Sequence, residues 1–314
     1  MSQLPPPVDA ARLEGVGIEG IEPGNLAAAG GARQDEAVGG SRRGRGIRLG
    51  SPLDPSGLAG LVLVGLVVLL GLLAPLLTPW DPIHQIPSAQ LLAPSVQHPL
   101  GTDNLGRDLF ARVLFGIRTS LLVCVISVPL GAVLGITLGI LAPSFRVLDV
   151  VLQRVFDVAL SFPALILAML LALVLGPGLW TVVVVIVISE TPVVGRLVRS
   201  QVVRVRALPY VESAEVIGAG RLWVMGRHIL PNVLEPVVVH IPLAVSGAIF
   251  AESAMGFLGV GVRPPMPSLG AVISSSLLYL EIRPLFVLGP LLVILALSLG
   301  LYLISLALGR GRRG

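Results

Sequence analysis

Two acids lie deep in long apolar stretches, Glu190 in the run that starts at Leu179 and Glu252 in the run that starts at Val233. An acid at the centre of a membrane-spanning helix costs roughly 2.5–3.5 kcal/mol on insertion scales, so such residues face a bundle interior or a path rather than lipid. Each is therefore a candidate to line a path through the bundle, where it could meet a cationic group, with structural hydrogen bonding as the alternative role. Asp157 has Arg154 one helical turn away and is expected to pair with it. Glu235 and His240 fall near the start of the run that holds Glu252 and read as interfacial or structural.

Covalent chemistry has little to work with. All 22 basic residues are arginine, whereas a nucleotide-binding P-loop needs its lysine to reach the phosphates. The single cysteine, Cys124, allows neither a disulfide framework nor a cysteine-based metal site, and His84, His98, His228 and His240 lack metal-ligand spacing. No catalytic residue, cofactor or metal is expected. Gly15-Val16-Gly17-Ile18-Glu19-Gly20 fits a dinucleotide fingerprint on paper. No strand pattern precedes it and no helix pattern follows, so it reads as flexible tail.

The elements that must position these residues follow from composition. The chain is 54% hydrophobic and only 13% charged, against roughly 25% charged for a soluble domain. Its apolar residues fall in runs of about twenty, the length a helix needs to cross the hydrocarbon core. The runs predict an all-α integral membrane protein of six spans, at 57–77, 119–141, 155–175, 179–198, 233–258 and 285–308. Residues 1–55 read as a disordered cytoplasmic tail, rich in Gly, Pro and Ala. That tail is not expected to be a signal peptide, because the first apolar run begins only near Gly57.

The sequence pI near 10.2 comes from arginines that flank apolar runs rather than from a basic domain with aromatics, so nucleic acid is not an expected partner. Arg42, Arg43, Arg45 and Arg48 precede the first span, Arg196 to Arg227 surround the loop after the fourth, and Arg310, Arg312 and Arg313 close the chain. By the positive-inside rule these segments and both termini are expected in the cytoplasm.

Between the fourth and fifth spans, residues 207–231 are neither lipid-facing nor featureless. Pro209 can start a helix, and Val211, Ala214 and Ile217 repeat at helical spacing with Glu212 and Glu215 on other faces. Gly218 and Gly220 interrupt it, and a second helical stretch from Arg221 is expected to stop at Pro231. The result is a two-helix knob on the cytoplasmic side. This string resembles the EAA coupling loop of bacterial ABC importer permeases, a Glu-Ala-Ala with a glycine four residues on and an Ile-x-Leu-Pro ending. Glu212, Ala214, Gly218, Leu230 and Pro231 match, Ser213 replaces the first alanine, and His228 stands where isoleucine is usual.

Two more stretches narrow the resemblance to the C-type permeases of dipeptide, oligopeptide and nickel importers. One is His98-Pro99-Leu100-Gly101-Thr102-Asp103-Asn104-Leu105-Gly106-Arg107-Asp108 with Gly116 to Leu121; the other runs from Phe257 to Gly270. Thr191 and Leu269 depart from the tryptophan frequent at those places, and Gly256 from serine. Read physically, the first stretch is a turn whose Asp103 or Asn104 can cap the helix after it. An amphipathic helix follows, with Leu109, Phe110, Val113, Leu114 and Ile117 on one face, expected on the outer membrane surface.

The resemblance implies a type I ABC importer permease bundle in the bacterial inner membrane, paired with a second permease, two cytoplasmic ATPase subunits and an extracytoplasmic solute-binding protein. It also implies that residues Glu212 to Pro231 couple the ATPases to transport. The alternative is an ion-gradient-driven secondary transporter or channel, which would show an inverted repeat or broken helices near the midplane; the sequence reads as having neither. A membrane-bound enzyme would need a His, Asp or Cys cluster, which is also missing.

Overall fold

The computed structural model describes residues 54–310. The expected tail over residues 1–55 lies outside them except for its last two residues. All regular elements among the described residues are helical, apart from an isolated bridge between Thr102 and Asp108. Five helices are long and apolar enough to cross a membrane, or six if one bent pair counts as a single span.

Helix α1 (Pro55–Leu72) is followed across Leu73 by a single turn, α2 (Ala74–Leu77), whose Pro75 lacks the N–H that would continue α1. After an irregular stretch, α3 (Leu109–Leu141) runs unbroken for 33 residues. Residues 109–117 are therefore the first turns of the second span and not a separate surface helix. Their apolar face packs into the protein: Leu109, Val113, Leu114 and Ile117 are all buried. The cap is Asp108, whose carboxylate accepts from the Ala111 N–H at 2.6 Å, rather than Asp103 or Asn104.

The expected third span is broken. Helices α4 (Arg146–Ser161) and α5 (Ala164–Leu175) meet at an angle of 93°. Pro163 has no N–H to give and forces Phe162 before it into extended backbone, with φ −85° and ψ 127°. Helix α6 (Leu179–Arg206) continues two turns beyond the expected end of the fourth span. The knob consists of α7 (Pro209–Val216) and α8 (Arg221–Val224). A π-helical turn, Met225–Ile229, then leads directly into α9 (Leu230–Phe257).

Pro231 therefore starts the fifth span instead of stopping the knob. In the first turn of α9 its missing N–H costs little, and the wider π turn ahead of it relieves the clash between its ring and the carbonyl four residues back. Helices α10 (Leu269–Leu277) and α11 (Leu285–Arg310) complete the chain.

α3 packs along α6, α1 along α11, and α9 sits between α3, α6 and α11. Small residues allow the close approaches. A Cβ on Gly135 would lie 2.7 Å from that of Val194, and one on Gly60 would lie 2.5 Å from the Gly300 carbonyl oxygen. One apolar core gathers around Ile117, Ile249, Phe286 and Leu297. A second, around Val198, Val202, Val233 and Val237, supports the knob.

Candidate functional site

Among the described side chains, those of its inner face anchor the knob. Val211 and Ala214 of α7 are buried against Val205, Val224, Ile229 and Val233. The Val211 N–H donates to the Leu208 carbonyl at 2.9 Å, and the Ser213 hydroxyl donates to the Pro209 carbonyl at 2.8 Å. On the outer side Glu212 and Ser213 are exposed, and Val216 and Ile217 are 81% and 84% exposed.

Gly218 turns the chain with φ +86°. The Ala219 N–H closes the bend by donating to the Ala214 carbonyl at 3.0 Å. His228 sits between the rings of Tyr210, at 5.5 Å, and Trp223, at 5.1 Å. Glu212, Ser213, Ala214 and Gly218 thus share one short helix and its bend, while Leu230 and Pro231 open the helix that carries the knob's far end into the bundle.

A belt of ion pairs ties α4 to the knob end of α6. Arg199 grips Asp149 through Nε at 2.5 Å and Nη2 at 2.7 Å. Arg196 Nη2 donates to Asp157 at 2.5 Å, closer than the expected partner Arg154, which stands 4.0 Å away. Phe156, the buried residue of α4, fills the notch left by Gly195 of α6.

Deeper in the bundle, the two lone acids have different surroundings. Glu252 of α9 is fully buried, and its carboxylate accepts from the Ser120 hydroxyl of α3 at 2.6 Å and more distantly, at 3.4 Å, from Ser253. Glu190 of α6 faces His240 of α9, whose Nε2 lies 2.7 Å from Oε1. Their side chains keep 15% and 22% of their surface and line a cavity of about 340 Å³ between α5, α6 and α9. In the sequence His240 reads as interfacial or structural, with no link to Glu190. Fifty positions separate them, so no local spacing marks the pair; the available signal was that each is a lone ionisable side chain in an apolar span.

At the opposite end of the bundle, the stretch before α3 forms a buried ionic cluster. Asp103 accepts from Arg107 Nε at 2.7 Å and lies 3.6 Å from Arg112 Nε. The same carboxylate also accepts the backbone N–H groups of Leu105 and Arg107, at 2.9 and 3.0 Å. His98 Nδ1 meets Asp108 at 2.8 Å under the ring of Trp80, and Arg112 reaches the Pro82 carbonyl at 3.1 Å.

Residues 131–314 match the family described as binding-protein-dependent transport system inner membrane component. Residues 54–94 match the N-terminal TM domain of oligopeptide transport permease C. The dipeptide transport system permease protein DppC of Alkalihalophilus pseudofirmus is 37% identical over 249 residues, covering 79% of this chain and 82% of that protein. The di/tripeptide transport system permease protein DppC of Pseudomonas aeruginosa is 38% identical over 231 residues, covering 71% and 76%. Among solved structures, an inward-facing conformation of the MetNI methionine ABC transporter shares the fold. Its TM-score is 0.50 at 20% identity, over 64% of this chain and 95% of that one.

Proposed function

Because the chain belongs to the family of binding-protein-dependent transport system inner membrane components, we propose that it carries di- or oligopeptides into the cell as one of two permeases in an ATP-driven importer. Two cytoplasmic ATPase subunits and an extracytoplasmic solute-binding protein complete the complex. The observation that carries the substrate class is the identity to relatives named as dipeptide permeases over more than two thirds of the chain. Family membership also decides against an ion-gradient-driven transporter, although the fold contains one broken span of the kind that alternative would use.

In this reading the knob is the coupling element and faces the cytoplasm with both termini. Its inner face is anchored in the valine core, while Val216, Ile217, Trp223 and Glu212 stand outward for an ATPase groove. Closure of the ATPase dimer would push the knob, tilt α6 and α9 together, and switch the path between outward and inward access. This chain does no covalent chemistry; it supplies the moving wall.

The test is coupling without loss of folding. Gly218→Val places a β-branched residue at φ +86° in open surroundings, so the strain stays local. Glu212→Ala removes an exposed carboxylate. Both variants are expected to insert normally, yet to lose ATPase co-purification or its stimulation and, with it, peptide uptake in reconstituted vesicles. Uptake at the wild-type level in both would reduce the knob to a connector.

A further inference from the structure

We infer that Glu190, held by His240 in this cavity, accepts the ammonium group of a peptide cargo as it crosses the membrane. The inference rests on the peptide-permease reading above. It begins from the cavity itself, whose volume of about 340 Å³ falls within the usual range of ligand sites. Its wall is apolar, with Phe162 and Leu165 at the α4–α5 elbow and Gly247 and Ala248 on α9. Polar side chains enter it only as Ser189, Glu190 and His240.

Depth matters as well. Glu190 is the twelfth residue of α6, ~17 Å along the helix at 1.5 Å per residue. A peptide passing at this level leaves water behind and needs a partner for its charged end.

The pair is built for exchange. His240 Nε2 donates one hydrogen bond to Glu190 Oε1, and a cargo ammonium is a donor of the same kind at the same oxygen. Replacing one donor by the other keeps the carboxylate satisfied throughout, so the cargo is not met by an unpaired buried charge. Three other acids of α4 and α9 are engaged elsewhere: Glu252 has no exposed surface and accepts from Ser120 through Oε2, and Asp149 and Asp157 are held by Arg199 and Arg196. On its α3 side, Glu190 packs its Cβ close over Gly131, where an added Cβ would stand 3.0 Å away. The backbone of α6 is thereby fixed while the carboxylate is shared with α9.

The experiment uses the complete complex, with both permeases, the ATPases and the binding protein, reconstituted in vesicles and given a free-amino dipeptide. Glu190→Gln keeps a hydrogen bond to His240 and loses the charge; Glu190→Asp keeps the charge and shortens the reach. The Gln variant is expected to lose about tenfold in uptake, the loss of one charged hydrogen bond. Its binding-protein-stimulated ATPase should stay within about twofold of wild type, and the Asp variant should transport better than the Gln variant.

A structural role predicts the reverse order, because Asp strains the contact that Gln preserves. Gln transporting as well as or better than Asp would overturn the proposal. So would a Gln variant that fails to assemble, or one whose uptake and ATPase fall together. A wild-type complex that takes up no peptide at all would strike at the peptide reading itself, and this one with it.

Discussion

At Gly106 and at Gly218 the backbone takes nearly the same left-handed φ, +74° and +86°. Around Gly106 there is no room: an added Cβ would lie 1.9 Å from the Ile86 carbonyl oxygen. Around Gly218 nothing stands within 4 Å. The same contrast runs through the two regions. Before α3, buried charges pair with one another, with Asp103, Arg107 and Arg112 at most 9% exposed. In the knob, bulky apolar side chains point outward and the hydrogen bonds are few and local. One connection is finished within the chain, whereas the other is shaped to be completed by something else.

The largest effect should come from Gly106→Ala. Its side chain has nowhere to go, so the protein is expected to lose its monodisperse folded peak in detergent. Gly218→Ala should cost only about 1–2 kcal/mol for the left-handed conformation and leave that peak in place. Equal behaviour of the two variants would break the comparison.

Asp103→Ala comes next. It strands two buried guanidinium groups, a change of the kind that costs about 3–5 kcal/mol. A clear fall in the thermal unfolding midpoint is expected, and an unchanged midpoint would show that the cluster is not a stabilising unit.

The smallest disturbance sharpens the comparison by placing the two regions on opposite sides of the membrane. With buried Cys124 removed, single cysteines at the exposed positions Ser88 and Gly220 should leave the chain inserted in the membrane. An impermeant thiol reagent applied to cells stripped of any outer barrier should label position 88 and not 220. The opposite pattern would invert the assigned topology.

The spans were legible because their signal is additive: some twenty apolar residues announce a crossing whatever they touch. Their bends were less so. Pro163 and Pro231 carry the same chemical defect, yet one breaks a helix by 93° and the other begins one after a π turn; which outcome wins depends on what packs around them. The knob was legible for the same local reasons that made it recognisable, a starting proline and an exiting glycine. Partners across the bundle were not. Asp157 keeps its helical neighbour Arg154 at 4.0 Å but lies closer to Arg196, and Glu190 meets His240, because tertiary packing brings together side chains that no periodicity relates.

The elbow at Pro163 has a consequence for the lipid. Beyond it, α5 has 12 residues, a rise of ~18 Å against a hydrocarbon core of ~30 Å, so this wall of the protein is about 12 Å too short to meet both headgroup layers. Where α5 runs along the membrane normal, the amphipathic α4, turned from it by 93°, adds no height. Acyl chains alongside α5, where Leu173 and Val174 are 84% and 80% exposed, must therefore compress, or give way to a neighbouring protein surface of greater height. The protein has a thin flank, and residues of that flank form one wall of the cavity that holds Glu190.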